Sequence, residues 1–273
     1  MGFNVTDLLI FTPILGIIAG FLSGLLGIGG GIVIIPVLLY LLPQLPQVDE
    51  SNVAIIAIAT SLFTICITAF SSGRSHYKNG NVDWLITRPV IVTVGLSAMI
   101  ASQIAVQLSS AWLTKIFAVL LIILAILMWR GKHDVADEDH EINNTKLGFG
   151  GILTGTLAAM AGLGGGAILV PYMTFIGVHV RQAIATAAIS GVIVAVFGTI
   201  GYLWAGWGWT DSVDFLGYVH WPTALMIMAF SYFSAPWGVK AGQKLQQAQL
   251  KKVFAVFMML VSIKLLLEVL QVW

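Results

Sequence analysis

Two glycine clusters hold the chemistry that this sequence offers. Gly27-Ile28-Gly29-Gly30-Gly31 recurs 135 residues later as Gly162-Leu163-Gly164-Gly165-Gly166. Each cluster lies inside an apolar stretch, and each is followed at the same distance by a proline, Pro36 and Pro171. Glycine is the poorest helix former after proline, so each cluster should break a helix. A new helix would then begin at Ile32 and at Ala167. The first N–H groups of a helix lack intrahelical partners, and its N-terminus carries about half a positive charge. Without side chains, the glycines let an oxyanion approach those amides closely. Paired breaks at matching places in two hydrophobic segments point to a transporter binding site.

Other groups able to take part are few. Thr60, Ser61 and Thr186 fall about one third of the way along neighbouring apolar blocks and could donate hydroxyls to an anion. Arg74 and His76 lie just past the end of the second block, where they would draw anions into a vestibule. No Asp or Glu sits at the centre of an apolar block, which argues against a buried carboxylate relay. Lys264 and Glu268 are spaced as an i,i+4 pair near a block end. No nucleophile–base pair and no HExxH motif is present, so an enzyme is not expected. The single cysteine, Cys66, excludes an internal disulfide and a thiol zinc site. No cofactor and no resident metal are implied.

The elements that must position these residues are apolar. Hydrophobic residues make up 58% of the 273 and charged residues 9%, with mean hydropathy +0.95. Soluble domains carry about 25% charged residues, so the chain is expected in a lipid bilayer. With net charge +1 and no basic run, nothing suggests nucleic acid. Asp7, with no Lys or Arg before the first apolar run, argues against a cleavable leader. Eight apolar blocks run roughly over 8–42, 52–72, 89–108, 111–129, 147–177, 182–205, 219–238 and 249–270. Six suit one spanning helix each. The first and fifth divide at the glycines into short arms: Pro13–Leu26 and Ile32–Leu42, then Leu147–Ala161 and Ala167–Gly177. Pro13–Leu26 would be about 21 Å of helix at 1.5 Å per residue, short of the roughly 30 Å hydrocarbon core. Two short arms joined by a glycine turn describe a re-entrant hairpin. A first arm beginning at Asp7 would instead span, and that eight-span reading stays open.

Charge placement orients the blocks. Arg74, Lys78 and Arg88, and later Lys240, Lys244, Lys251 and Lys252, should face the cytoplasm. Asp49 and Glu50, and Asp211 and Asp214, mark outer loops. Trp204, Trp207, Trp209 and Trp221 flank the latter and read as interfacial belt residues. The expected fold is therefore an all-α integral membrane protein built as an inverted repeat. Each half is one re-entrant helical hairpin plus three transmembrane helices, residues 1–130 and 147–273, joined by a cytoplasmic linker at 131–146. The repeat extends beyond the glycines: Ala57–Ser61 matches Ala183–Ala187 at an offset of 126. The linker, rich in Asp and Glu with His133 and His140, reads as a solvated tether.

These residues resemble a known family. Gly-x-x-Ser-Gly-x-x-Gly-x-Gly-Gly-Gly from Gly20 to Gly31, the proline five residues on and the second copy are similar to the TauE/SafE sulfite exporters. Ala59–Leu62 and the Arg-x-His-Tyr-x-x-Gly of Arg74–Gly80 resemble them too. The resemblance covers nearly the whole chain. It implies a carrier that moves sulfite, sulfonates such as sulfoacetate, or related sulfur-containing anions, usually outward. The second copy has Ala158 where Ser23 stands and Ala187 where Ser61 stands, so any hydroxyl contribution should be asymmetric. The alternative is a passive small-anion channel, or a carrier for another organic anion. The oligomeric state is left open.

Overall fold

The computed structural model describes residues 5–26, 29–78, 80, 82–130, 143–244 and 247–271. Gly27 and the linker histidines therefore lie outside the described residues, as does the side chain of His76. Among the described residues the chain is almost entirely helical. The order is α1 (Val5–Leu26), α2 (Gly31–Leu41), α3 (Val53–Lys78), α4 (Trp84–Ala105), α5 (Ser110–Arg130), α6 (Asn144–Met160), α7 (Gly166–Phe175), α8 (Val180–Ala205), α9 (Trp221–Lys244) and α10 (Gln247–Gln271). Among the described residues, four segments are long and apolar enough to cross a membrane: Val53–Phe70, Trp84–Ala105, Ser110–Leu127 and Gln182–Ala205. Local signals set several boundaries. Asp83 caps α4 by accepting from the Leu85 N–H at 2.9 Å. Asn143 caps α6 by accepting from the Thr145 N–H at 3.0 Å.

Two expectations need correction. The first arm does not start at Pro13; α1 begins at Val5 and carries Pro13 inside it. Neighbouring helices re-satisfy the backbone freed by proline in membrane helices. With 22 residues, α1 is about 33 Å long, enough to reach across the hydrocarbon core. The chain is also not purely helical. Between α8 and α9 a short antiparallel hairpin pairs β1 (Phe215–Leu216) with β2 (Val219–His220). Aromatic packing explains it. Trp209 lies 5.4 Å edge-on from Phe215 and stacks on Tyr218 at 5.5 Å, while its indole N–H donates to the Gly217 carbonyl at 2.6 Å. Trp209 thus packs on the hairpin. Trp204 and Trp207 are exposed.

Packing follows the repeat in the sequence. α1 packs along α9, and α6 along α4; α3 packs on α8, and α5 on α10; α2 lies on α3, and α7 on α8. Exchanging α1–α5 with α6–α10 maps this set of pairs onto itself. α1 therefore leans on a helix of the α6–α10 set, and α6 on a helix of the α1–α5 set. Two small-residue seams permit this. Gly16 and Gly20 of α1 face Ile227, Ser231 and Ser234 of α9. Gly151 and Gly155 of α6 face Val90, Val94 and Ser97 of α4. A Cβ at Gly20 or Gly155 would overlap these neighbours, so the backbones approach as in small-xxx-small pairs. Lys264 of α10 sets its ammonium 5.5 Å from the ring centre of Tyr40 in α2; the side chain of Glu268 lies outside those described.

Candidate functional site

Both glycine clusters stop one helix and start another. Gly30 is the N-cap of α2 with φ 76°, and Gly165 is the N-cap of α7 with φ 73°. This left-handed backbone is strained for any residue with a Cβ, which is why glycine stands at both places. Neither cap makes a side-chain hydrogen bond. The N–H groups of Val33 and Ile34 bond to the Gly30 carbonyl at 3.0 and 3.2 Å. Those of Ile168 and Leu169 bond to the Gly165 carbonyl at 3.0 and 2.9 Å. The preceding amides, of Gly31 and Ile32 and of Gly166 and Ala167, precede the reach of the intrahelical ladder.

The two turns touch each other. A Cβ at Gly29 would lie 3.0 Å from Cα and 3.3 Å from N of Gly164. A Cβ at Gly31 would run into the carbonyl oxygen of Gly162. Residues 135 positions apart thus form one centre, walled by α3 and α8. A Cβ at Gly191 of α8 would come 2.5 Å from the Gly164 carbonyl oxygen. Beside this contact lies a small cavity of about 20 Å³, lined by Ser23, Gly29, Thr68, Ala69, Gly164, Ala187, Ala188 and Gly191. That is room for about one water molecule.

The three expected hydroxyls are all buried, each with a partner. Ser61 donates to the Gly162 carbonyl at 3.0 Å and lies beside Gly31, bracing one turn against the other. Thr60 accepts from the backbone N–H of His220 at 3.1 Å. Thr186 shares a 2.9 Å hydrogen bond with Thr87 of α4. Arg74 is exposed near the end of α3. Ser23 and Thr68 line the cavity, although neither was singled out as a site residue from the sequence. One signal pointed to Thr68: it lies seven residues, two helical turns, beyond Ser61 and so on the same face of α3. Thr154 beside Gly165 and Ser190 of α8 are fully buried, with hydroxyls that lack a partner among the described residues. No group of three or more His, Cys, Asp or Glu able to hold a metal occurs among the described residues.

The α8–α9 hairpin packs on α3 through the His220–Thr60 bond. His220 is buried, with its Nδ1 2.7 Å from Thr223 Oγ1 and its ring 4.8 Å from Phe215. Burial lowers its pKa to about 4, against a smaller raising effect of Asp214. The imidazole is therefore neutral near pH 7. Tyr202 of α8, fully buried, donates to the Ala159 carbonyl at 3.1 Å.

Comparison with known proteins identifies relatives over nearly the whole chain. The profile of the family described as "Sulfite exporter TauE/SafE" matches residues 13–265. A "Probable membrane transporter protein" of Haemophilus influenzae is 37% identical over 256 residues, covering 93% of this chain and 97% of its own length. A protein of the same description from Methanocaldococcus jannaschii is 29% identical, with 90% of this chain and 91% of the relative covered. The probable membrane transporter YunE of Bacillus subtilis is 24% identical, with coverage of 93% and 96%. No solved structure matches the chain. This chain belongs to the TauE/SafE sulfite exporter family, and is a multi-pass inner-membrane transporter of small anions rather than an enzyme.

Proposed function

We propose that this protein exports sulfite or an organosulfonate such as sulfoacetate, and that the anion binds between the glycine turns Gly27–Gly31 and Gly162–Gly166. The observation that carries this reading is the contact of Gly29 with Gly164, which brings the N-termini of α2 and α7 to one place. Each N-terminus favours a negative charge by roughly 0.3–1 kcal/mol when exposed and up to about 2 when partly buried. Two positive helix ends side by side repel each other, and an anion between them relieves that repulsion. The three oxygens of a sulfonate or sulfite can accept from both ends at once. Ser61 lies next to both turns and is the hydroxyl best placed to turn toward such a ligand. Thr60 and Thr186 would have to leave His220 and Thr87 to do so, and in this reading they brace the helices around the site.

The pairing of α1 with α9 and of α6 with α4 supports an inverted repeat of residues 1–130 and 147–273 around this site. In that arrangement the end of α3 bearing Arg74 and Lys78 is cytoplasmic, and the β1–β2 hairpin is outside. The test is a binding screen of purified protein against sulfite, sulfoacetate, acetate and phosphate, followed by counterflow in proteoliposomes. Saturable exchange of a sulfur oxyanion is expected. Unsaturated flux would favour a channel, preference for acetate would name another organic anion, and selective cation binding would overturn the electrostatic basis.

A further inference from the structure

Three hydroxyls among the described residues are buried without a hydrogen-bond partner: Thr12, Thr154 and Ser190. A buried hydroxyl on a helix can bond back to a carbonyl one turn earlier. Thr64 does so to Ser61 at 2.6 Å, Thr68 to Ile65 at 3.2 Å and Ser97 to Val94 at 3.2 Å. Leaving such a hydroxyl unbonded costs stability. Two of the three exceptions flank the second glycine turn. Thr154 of α6 has its Cγ2 3.1 Å from where a Cβ of Gly165, the N-cap of α7, would lie. Its hydroxyl branches from the same carbon. Ser190 of α8 adjoins two residues that meet the same turn. Gly191 follows it, and a Cβ there would come 2.5 Å from the Gly164 carbonyl oxygen. Val194 lies one helical turn on, its Cγ2 3.5 Å from the Gly165 Cβ position.

Helical spacing aims both side chains at one seam. On α6, Gly150 faces Tyr172 of α7, and Gly151 and Gly155 face α4. Thr154, set between those directions, points at the seam between α7 and α4. On α8, Thr186 bonds Thr87 of α4, and Val194 meets the start of α7. Ser190, one turn from each, points at the same seam. There the N–H groups of Gly166 and Ala167 come before the intrahelical ladder, and Gly166 is buried. The place gathers donors, and none of α4, α6, α7 and α8 contains an Asp or Glu. The duplicated backbone does not by itself call for these hydroxyls. At offsets of 135 and 126, Thr154 and Ser190 correspond to Ala19, which has none, and to Thr64, whose hydroxyl is bonded. Thr12 is a useful contrast. It lies seven residues before Ala19, the α1 residue whose carbonyl neighbours Gly30, or about 10 Å along the helix.

We propose that Thr154 and Ser190 are anion-binding hydroxyls, which donate to the oxyanion held at the N-terminus of α7. This rests on the reading of the glycine turns as the anion site and adds to it the side chains that complete the second turn. A sulfonate, with three acceptor oxygens, satisfies both hydroxyls together with the Gly166 and Ala167 amides.

The test uses purified full-length protein and its Thr154→Val, Ser190→Ala, Thr154→Ser and Thr12→Val variants. Each is titrated with sulfoacetate and with sulfite, and melted without ligand. Thr154→Val and Ser190→Ala should each weaken binding roughly tenfold or more, the loss of a hydrogen bond to a charged group. Neither should melt below the wild type, because an unpartnered hydroxyl has no bond to lose. Thr154→Ser should retain binding, and Thr12→Val should bind as the wild type does. Unchanged affinity in both Thr154→Val and Ser190→Ala overturns the proposal; a lowered melting temperature beside it would assign them to a trapped water only. Equal weakening by Thr12→Val overturns it too, since any buried hydroxyl would then have the same effect. If Gly165→Val abolishes binding while Thr154→Val and Ser190→Ala keep it, the glycine site stands and this inference falls. If the wild type binds no anion in the screen, both fall.

Discussion

Ser61 Oγ donates to the Gly162 carbonyl at 3.0 Å, across 101 residues of sequence. The bond ties α3 to the second glycine turn, beside the first residue of α2. Its removal should loosen the contact between the turns without emptying a large volume. We expect Ser61→Ala to cost about 1–2 kcal/mol, since it leaves a buried carbonyl without its partner. Thermal melting in detergent measures this. An unchanged melting temperature with unchanged anion affinity would remove Ser61 from the site.

Gly30 and Gly165 both hold left-handed backbone. Valine at either place should abolish transport while leaving membrane insertion intact. The β-branched side chain strains the turn and covers the amides that would face the anion. Uptake at the wild-type rate by a monodisperse Gly165→Val protein would reduce the glycines to packing residues.

The α4–α6 seam predicts a contrast within one helix. A Cβ at Gly155 would collide with Ser97 and lie 2.5 Å from the Val94 carbonyl oxygen. At Gly148 its nearest neighbour would be Thr93 Cγ2 at 3.6 Å, an ordinary contact. Gly155→Leu should therefore give little folded protein, whereas Gly148→Ala should be tolerated. Fluorescence-detected gel filtration compares the two directly. Equal folded yields would contradict the seam.

His220 gives stability a pH dependence. Burial holds its folded pKa at about 4, below the ordinary value near 6.5. Unfolded chain therefore takes up the proton first as pH falls. The stability contribution is intact above about pH 6.5 and is lost progressively toward pH 4, by up to about 3 kcal/mol. Melting temperatures at pH 7.5, 6 and 4.5 should decline, and His220→Gln should flatten the decline. A variant with the same slope as the wild type would show that other groups carry the effect.

Topology is tested at two exposed positions, Gln47 and Asn144. With Cys66→Ser as background, cysteines introduced there should be labelled from opposite sides of the membrane. Labelling from the same side would replace the re-entrant first hairpin with another crossing pattern, for which α1 is long enough.

The membrane setting, the helical breaks and their duplication are legible in the residues alone. Low charge, long apolar blocks and glycine clusters act locally, so they can be read without knowing what packs on what. Pro13 misled as the start of the first arm because tertiary neighbours override a local breaker in a membrane helix. The β1–β2 hairpin was invisible because two-residue strands carry no periodicity and depend on Trp209, Phe215 and Tyr218 meeting in space. Only the tertiary structure decided that Gly29 lies against Gly164, and that the side chains walling the cavity beside them are Ser23 and Thr68. Which hydroxyl faces a cavity depends on the rotation of a helix and the bulk of its neighbours across α3 and α8. Those are long-range packing outcomes; the spacing from Ser61 puts Thr68 on one face of α3 without saying what that face meets.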